Sequence, residues 1–118
     1  MSRRPDGALE SDILAVLWAG DRPMTPGDVR DALGTGLAYT TVMTVLSRLF
    51  HKGLVTRGQR GRAFAYTPTQ TRSELAGQRM REILADAGDR ASALSGFVGG
   101  LSKRDAELLR QIVRREQR

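Results

Sequence analysis

The chain predicts a mainly α-helical fold with a small β wing, followed by a further helical region, and three observations carry that prediction. Apolar residues recur at helical spacing through most of the length, strand-like alternation falls between Leu54 and Pro68, and capping residues stand before several of the helical stretches. The first helix is expected from about Ala8 to Ala19, where Leu9, Ile13, Val16 and Leu17 share one face and Gly20-Asp21-Arg22-Pro23 supplies the stop. A second opens at Thr25. Pro26 sits in the first turn, where no hydrogen bond is lost, and Asp28 completes a capping-box pattern. Gly34 and Gly36 end this helix, and Val29, Ala32 and Leu33 form its expected buried face.

A third helix is read from Tyr39 to Lys52. Val42, Val45, Leu46, Leu49 and Phe50 make its apolar stripe, Thr40, Thr41, Thr44, Ser47, Arg48 and His51 its other face, and Gly53 suits the left-handed residue that closes a helix. Leu54 to Arg57 then reads as a strand, Gly58 to Gly61 as a turn, and Arg62 to Pro68 as the returning strand. Ala63, Ala65 and Thr67 fall on one face of it and Phe64 and Tyr66 on the other. Beyond it, Thr71 and Glu74 are spaced as a capping box for a helix reaching about Ala87, where Gly88 breaks it, and a short helix covers Ala91 to Val98. After Gly99-Gly100, Ser102 and Asp105 open a last helix, with Leu101, Leu108, Ile112 and Val113 on one side. Helix, helix, helix, hairpin is the order of a winged helix-turn-helix, so residues 1–69 are expected to form a DNA-binding domain and residues 70–118 a helical dimerisation region.

Composition narrows the function. Within 118 residues, 27% are charged and 40% hydrophobic, and there is no cysteine and a single histidine, His51. Thiol nucleophiles, disulfides and thiolate metal sites are excluded, zinc chemistry has almost no ligands, and neither a catalytic group nor a cofactor is predicted. No apolar run approaches the roughly 18 residues of a membrane span, and the run from Leu9 to Trp18 is interrupted by Glu10, Ser11 and Asp12, so no membrane insertion and a cytoplasmic location are expected. The net charge of +6 favours a polyanionic partner. Arg48, Lys52, Arg57, Arg60 and Arg62 follow one another without an acidic residue between them, which places a basic stripe on one stretch of chain.

The third helix fits the requirements of a reading head: one face for burial, short hydroxyl side chains near its start, and a longer cation farther along. Thr40, Thr41 and Thr44 supply the hydroxyls and Arg48 the reach. A merely solvated helix face usually carries Glu/Lys pairs, whereas threonine is a poor helix former with no stability reason to recur there. Arg57, Arg60 and Arg62 are read as phosphate contacts of the wing, which set affinity and register rather than sequence preference. Trp18 is read as core, and Arg3 and Arg4 as a tail. The alternative is a winged-helix protein-interaction module that never touches DNA. It would show an acidic or apolar third-helix face, unlike the polar and basic one here.

Tyr39-Thr-Thr-Val-Met-Thr-Val-Leu-Ser-Arg-Leu49, Lys52-Gly-Leu-Val55 and Arg62-Ala-Phe-Ala-Tyr-Thr-Pro68 closely resemble the penicillinase-repressor family (BlaI/MecI type). Leu9 to Trp18 resembles that family's first helix, and Ala93-Leu94, Phe97-Val98, Leu101-Ser102 and Glu107-Leu108-Leu109 resemble its dimerisation region. The resemblance implies a homodimeric repressor that binds double-stranded inverted-repeat operator DNA, typically at beta-lactamase or other antibiotic-resistance genes, with DNA contacts at Thr40, Thr41, Thr44 and Arg48. Met43 stands where some relatives are basic, which implies a different operator preference, since methionine offers only apolar contact. The resemblance also implies a membrane sensor-protease that cleaves the dimerisation region. The matching bond here is Gly96–Phe97, with glycine where antibiotic-responsive relatives have asparagine. Copper-responsive relatives carry a cysteine cluster that this sequence lacks.

Overall fold

The structure is a computed structural model that describes residues 6–117; Arg3 and Arg4 lie outside the described residues. The order is α1 (Asp6–Ala19), α2 (Pro26–Leu33), α3 (Tyr39–His51), β1 (Val55–Arg60), β2 (Ala63–Pro68), α4 (Arg72–Ala85), α5 (Arg90–Gly99) and α6 (Lys103–Glu116). This is the mainly α fold with a small β wing that the sequence predicts. The chain falls into two compact units, one through Ala76 and one from Gly77.

In the first unit Ile13, Leu14 and Leu17 of α1, Val29 of α2 and Val42, Val45, Leu46 and Leu49 of α3 form one buried cluster, which Val55, Tyr66 and Leu75 complete. The local stops are those the sequence signals. The Thr25 hydroxyl accepts from the Asp28 amide at 3.2 Å while the Asp28 carboxylate accepts from the Thr25 amide at 3.1 Å, a closed capping box. Those bonds, the backbone one foremost, hold the Asp28 carboxyl below its ordinary pKa. Helix α3 ends in a Schellman motif. The Gly53 amide donates to Phe50 and the Leu54 amide to Leu49, and Gly53 has φ +78°. Trp18, expected in the core, is half-buried. Its Nε1–H donates to the Gln70 carbonyl at 2.9 Å, and Arg72 lies over its ring, so the indole ties the chain leaving the wing back to α1.

Three details differ from the sequence reading. The wing turn is not Gly58 to Gly61: β1 continues to Arg60, which pairs with Ala63, and only Gly61 and Arg62 turn. Gly61, at φ +63°, supplies the left-handed residue that a two-residue hairpin turn needs, so Gly58 and Gln59 remain in the ladder. Ala32 is exposed rather than buried, because the eight-residue α2 covers the core chiefly through Pro26 and Val29, with Leu33 half-buried. In β2 the two aromatics share a face but not an environment. Tyr66 is buried near the hairpin base, whereas Phe64 is 42% exposed toward the tip.

The second unit consists of the later turns of α4 with α5 and α6, and among its described residues none is fully buried. Met80, Ile83, Leu94, Phe97, Val98, Leu108, Ile112 and Val113 are all exposed, with Ile83 at 73%. Between α4 and α5 runs an apolar groove of about 500 Å³, its lining including Met80, Ile83, Leu84, Leu94 and Phe97. Asp89 caps α5 by accepting from the Ser92 amide and hydroxyl, and Ser102 caps α6 by accepting from the Asp105 amide. No helix among the described residues is long and apolar enough to cross a membrane.

Candidate nucleic-acid interface

Burial of one face of α3 decides what the other presents. With Val42, Val45, Leu46 and Leu49 inward, Thr40, Thr44, Ser47 and His51 fall at helical spacing along the outward ridge. Met43 flanks them on one side, and Thr41 and Arg48 on the other. Thr40, Thr44 and Arg48 are exposed, Met43 is 45% exposed, and Thr41 is half-buried. Ala38 caps α3 without a side-chain hydrogen bond, and the first turn holds no acidic residue, so neither the cap nor the first turn places a negative charge at the positive end of the helix dipole.

Thr44 shows a finer feature. Its hydroxyl donates to the Thr40 carbonyl at 2.9 Å, one turn back. The donor is engaged within the helix, and Thr44 presents outward its methyl group and the remaining acceptor capacity of its oxygen. Beside it Met43 adds a second apolar contact surface.

The basic stripe is contiguous in sequence but differentiated in space. Lys52 is bound to Glu10 of α1, its ammonium donating to both carboxylate oxygens at 2.9 and 3.0 Å, and Glu10 is only 8% exposed. Arg60 comes within 3.9 Å of the Asp28 carboxylate, a long pair between two well-exposed groups. Arg62 is exposed in the turn. Arg57 lies with its guanidinium carbon 3.9 Å from the Phe50 ring centroid and 4.3 Å from that of Phe64. His51 is exposed beside the Phe50 ring. The structure therefore brings Thr40, Met43, Thr44 and Arg48 onto one exposed helix surface and places Arg60 and Arg62 on the wing. Gly96 and Phe97 belong to α5, in the second unit.

Glu10, Phe50 and Phe64 were not singled out by sequence reasoning. Glu10 shows locally only as an acid inside an apolar run, and its partner is 42 positions away. Alternation puts Phe64 on its strand face, but its exposure and the arginine that covers it depend on how far the hairpin extends beyond the core.

Residues 7–115 match the family model described as Penicillinase repressor. The chain belongs to the penicillinase repressor family. It is 41% identical over 110 residues to the transcriptional regulator BlaI of Mycobacterium tuberculosis strain H37Rv, covering 89% of this chain and 80% of that protein. Penicillinase repressor family members are winged-helix transcriptional regulators rather than enzymes. Among solved structures, the Staphylococcus aureus MepR–DNA complex is similar at a TM-score of 0.49, with 19% identity over 79% of this chain and 78% of that one. The PcaV transcriptional regulator of Streptomyces coelicolor in complex with its natural ligand is similar at 0.48, with 21% identity over 93% and 73%.

Proposed function

We propose that this chain is a homodimeric, sequence-specific transcriptional repressor that places α3 in the major groove of an inverted-repeat operator. The observation that carries the reading is the exposed face of α3. Thr40, Met43, Thr44 and Arg48 offer hydroxyl, methyl and guanidinium groups of the kinds that meet base edges, on a helix whose other face is locked into the core. Thr41 and the open N-terminus of the helix supply backbone-phosphate contact, and Arg60 and Arg62 extend that contact along the wing. The spent donor of Thr44 favours apolar contact with a thymine methyl at that position.

The second copy follows from the second unit. Apolar side chains stand exposed on α4, α5 and α6, and pairing with an identical set buries them around a two-fold axis. Operator symmetry is the corollary. Beta-lactamase or other resistance genes are the proposed targets, and a membrane sensor-protease the proposed source of relief. In α5 the Gly96 carbonyl accepts from the Gly100 amide, so cleavage at Gly96–Phe97 requires local unwinding of the helix first.

The test is a titration of the purified protein against its own promoter region and a scrambled duplex of equal length, at several salt concentrations. Wild type is expected to discriminate between the two, with a salt slope of about 0.9 per phosphate neutralised. Thr44→Ala, which removes the γ-methyl, is expected to lose about 1 kcal/mol of that discrimination, the worth of one buried methyl group. Equal binding of both duplexes by wild type, or full discrimination by the variant, contradicts the assignment of readout to α3.

A further inference from the structure

We propose that Arg57 is a positioning residue that fastens the wing to α3 through its stack between Phe50 and Phe64, rather than one of the wing's phosphate contacts. The proposal rests on the DNA-binding reading for its consequence and on the geometry of the hairpin for its cause. The hairpin is anchored at its base. Val55, Ala65 and Tyr66 are buried, Tyr66 exchanges both backbone hydrogen bonds with Met24, and the Thr69 hydroxyl donates to the Gly53 carbonyl. Toward the tip, Gln59 pairs with Phe64 and Arg60 with Ala63, and no core residue lies among them.

Arg57 stands at the boundary between these two halves. It pairs with Tyr66, so its side chain leaves the sheet on the face that carries Phe64. Phe50 comes from the last turn of α3. With its carbon over both rings, 3.9 Å from one centroid and 4.3 Å from the other, a single guanidinium bridges α3 and the wing. Only arginine serves here. A guanidinium is flat and weakly hydrated and stacks on rings through both faces, whereas a lysine ammonium is a compact hydrated point charge. The stack also accounts for a half-exposed phenylalanine near a hairpin tip, since the arginine covers the ring that the core does not reach. By holding the outer hairpin at one angle to α3, it lets wing and helix meet backbone and groove together.

The test uses the full chain and the variants Arg57→Lys, Arg57→Gln, Phe64→Leu and Phe64→Tyr. Without DNA, amide exchange at Gly58, Arg60 and Ala63 is expected to accelerate about tenfold in Arg57→Lys and Phe64→Leu, the loss that ordinary cation–π contacts predict, while exchange at Leu46 stays unchanged. Phe64→Tyr, which keeps the ring, is expected to behave as wild type. On a duplex that wild type prefers, both arginine variants are expected to weaken binding about tenfold with an unchanged salt slope. Unaltered wing exchange in Arg57→Lys overturns the proposal whether or not DNA is bound. So does wild-type affinity in Arg57→Lys combined with a slope lowered by about 0.9 in Arg57→Gln, the signature of a lost phosphate contact. Failure of wild type to prefer any duplex overturns the DNA-binding reading instead, and the exchange data then judge the stack alone.

Discussion

Deleting residues 77–118 is expected to leave a folded monomer whose affinity for a two-half-site duplex falls by about 10²–10⁴-fold, the advantage that linkage of two binding modules ordinarily confers. The folded part of this expectation rests on the first unit. Every member of the buried cluster lies between Ile13 and Leu75, and the Trp18–Gln70 hydrogen bond is retained. The cut belongs after Ala76 rather than at the end of the hairpin, because Leu75 closes the core and Arg72 covers the Trp18 ring. The affinity part follows from the proposed dimer, in which the apolar surfaces of α4, α5 and α6 hold the second copy. Sedimentation, near-ultraviolet dichroism of the single tryptophan and a duplex titration check it together. A truncated chain that stays dimeric, or that binds as tightly as the whole, contradicts the assignment.

Replacing Lys52 with methionine is expected to destabilise the first unit by about 1–3 kcal/mol, less than the ~3–5 kcal/mol of a wholly buried pair because the lysine side chain is half-exposed. The variant leaves the Glu10 carboxylate, whose side chain is 10% exposed, without its counter-charge. Lys52 also caps α3, so the pair fixes the end of that helix against α1. For a unit of this size the shift in Tm is roughly 4 °C or more per kcal/mol. The double variant Glu10→Leu with Lys52→Met is expected to recover much of the loss, since an apolar pair of similar volume carries no desolvation cost. An unchanged Tm in Lys52→Met contradicts this account of the pair.

Where local chemistry decides an element, the sequence was sufficient. The Thr25–Asp28 and Thr71–Glu74 boxes and the Gly53 closure are short-range devices, and they appear where the residues call for them. The apolar stripe of α3 was legible for the same reason, and so, by complement, was its outward face. What was not legible depends on distance or register. Gly58 and Gly61 are both plausible turn residues, and only the pairing of Arg60 with Ala63 chooses between them. Alternation in β2 fixes that Phe64 and Tyr66 share a face, but the core reaches only one of them. The basic stripe read as a single surface until tertiary contacts assigned Lys52 to Glu10 and Arg57 to two phenyl rings. In the last third, Leu108, Ile112 and Val113 were legible as one apolar side of α6, and all three remain exposed in the isolated chain.

Symmetric reading of DNA by α3 is the central claim, and it is tested most directly by selecting bound duplexes from a random-sequence pool with the full-length protein. The account predicts enrichment of an inverted repeat whose half-sites are separated by about one helical turn or a multiple of it, with the preference at one base position of each half-site weakened in Thr44→Ala. A pool that remains random, or a single unrepeated motif, would contradict it.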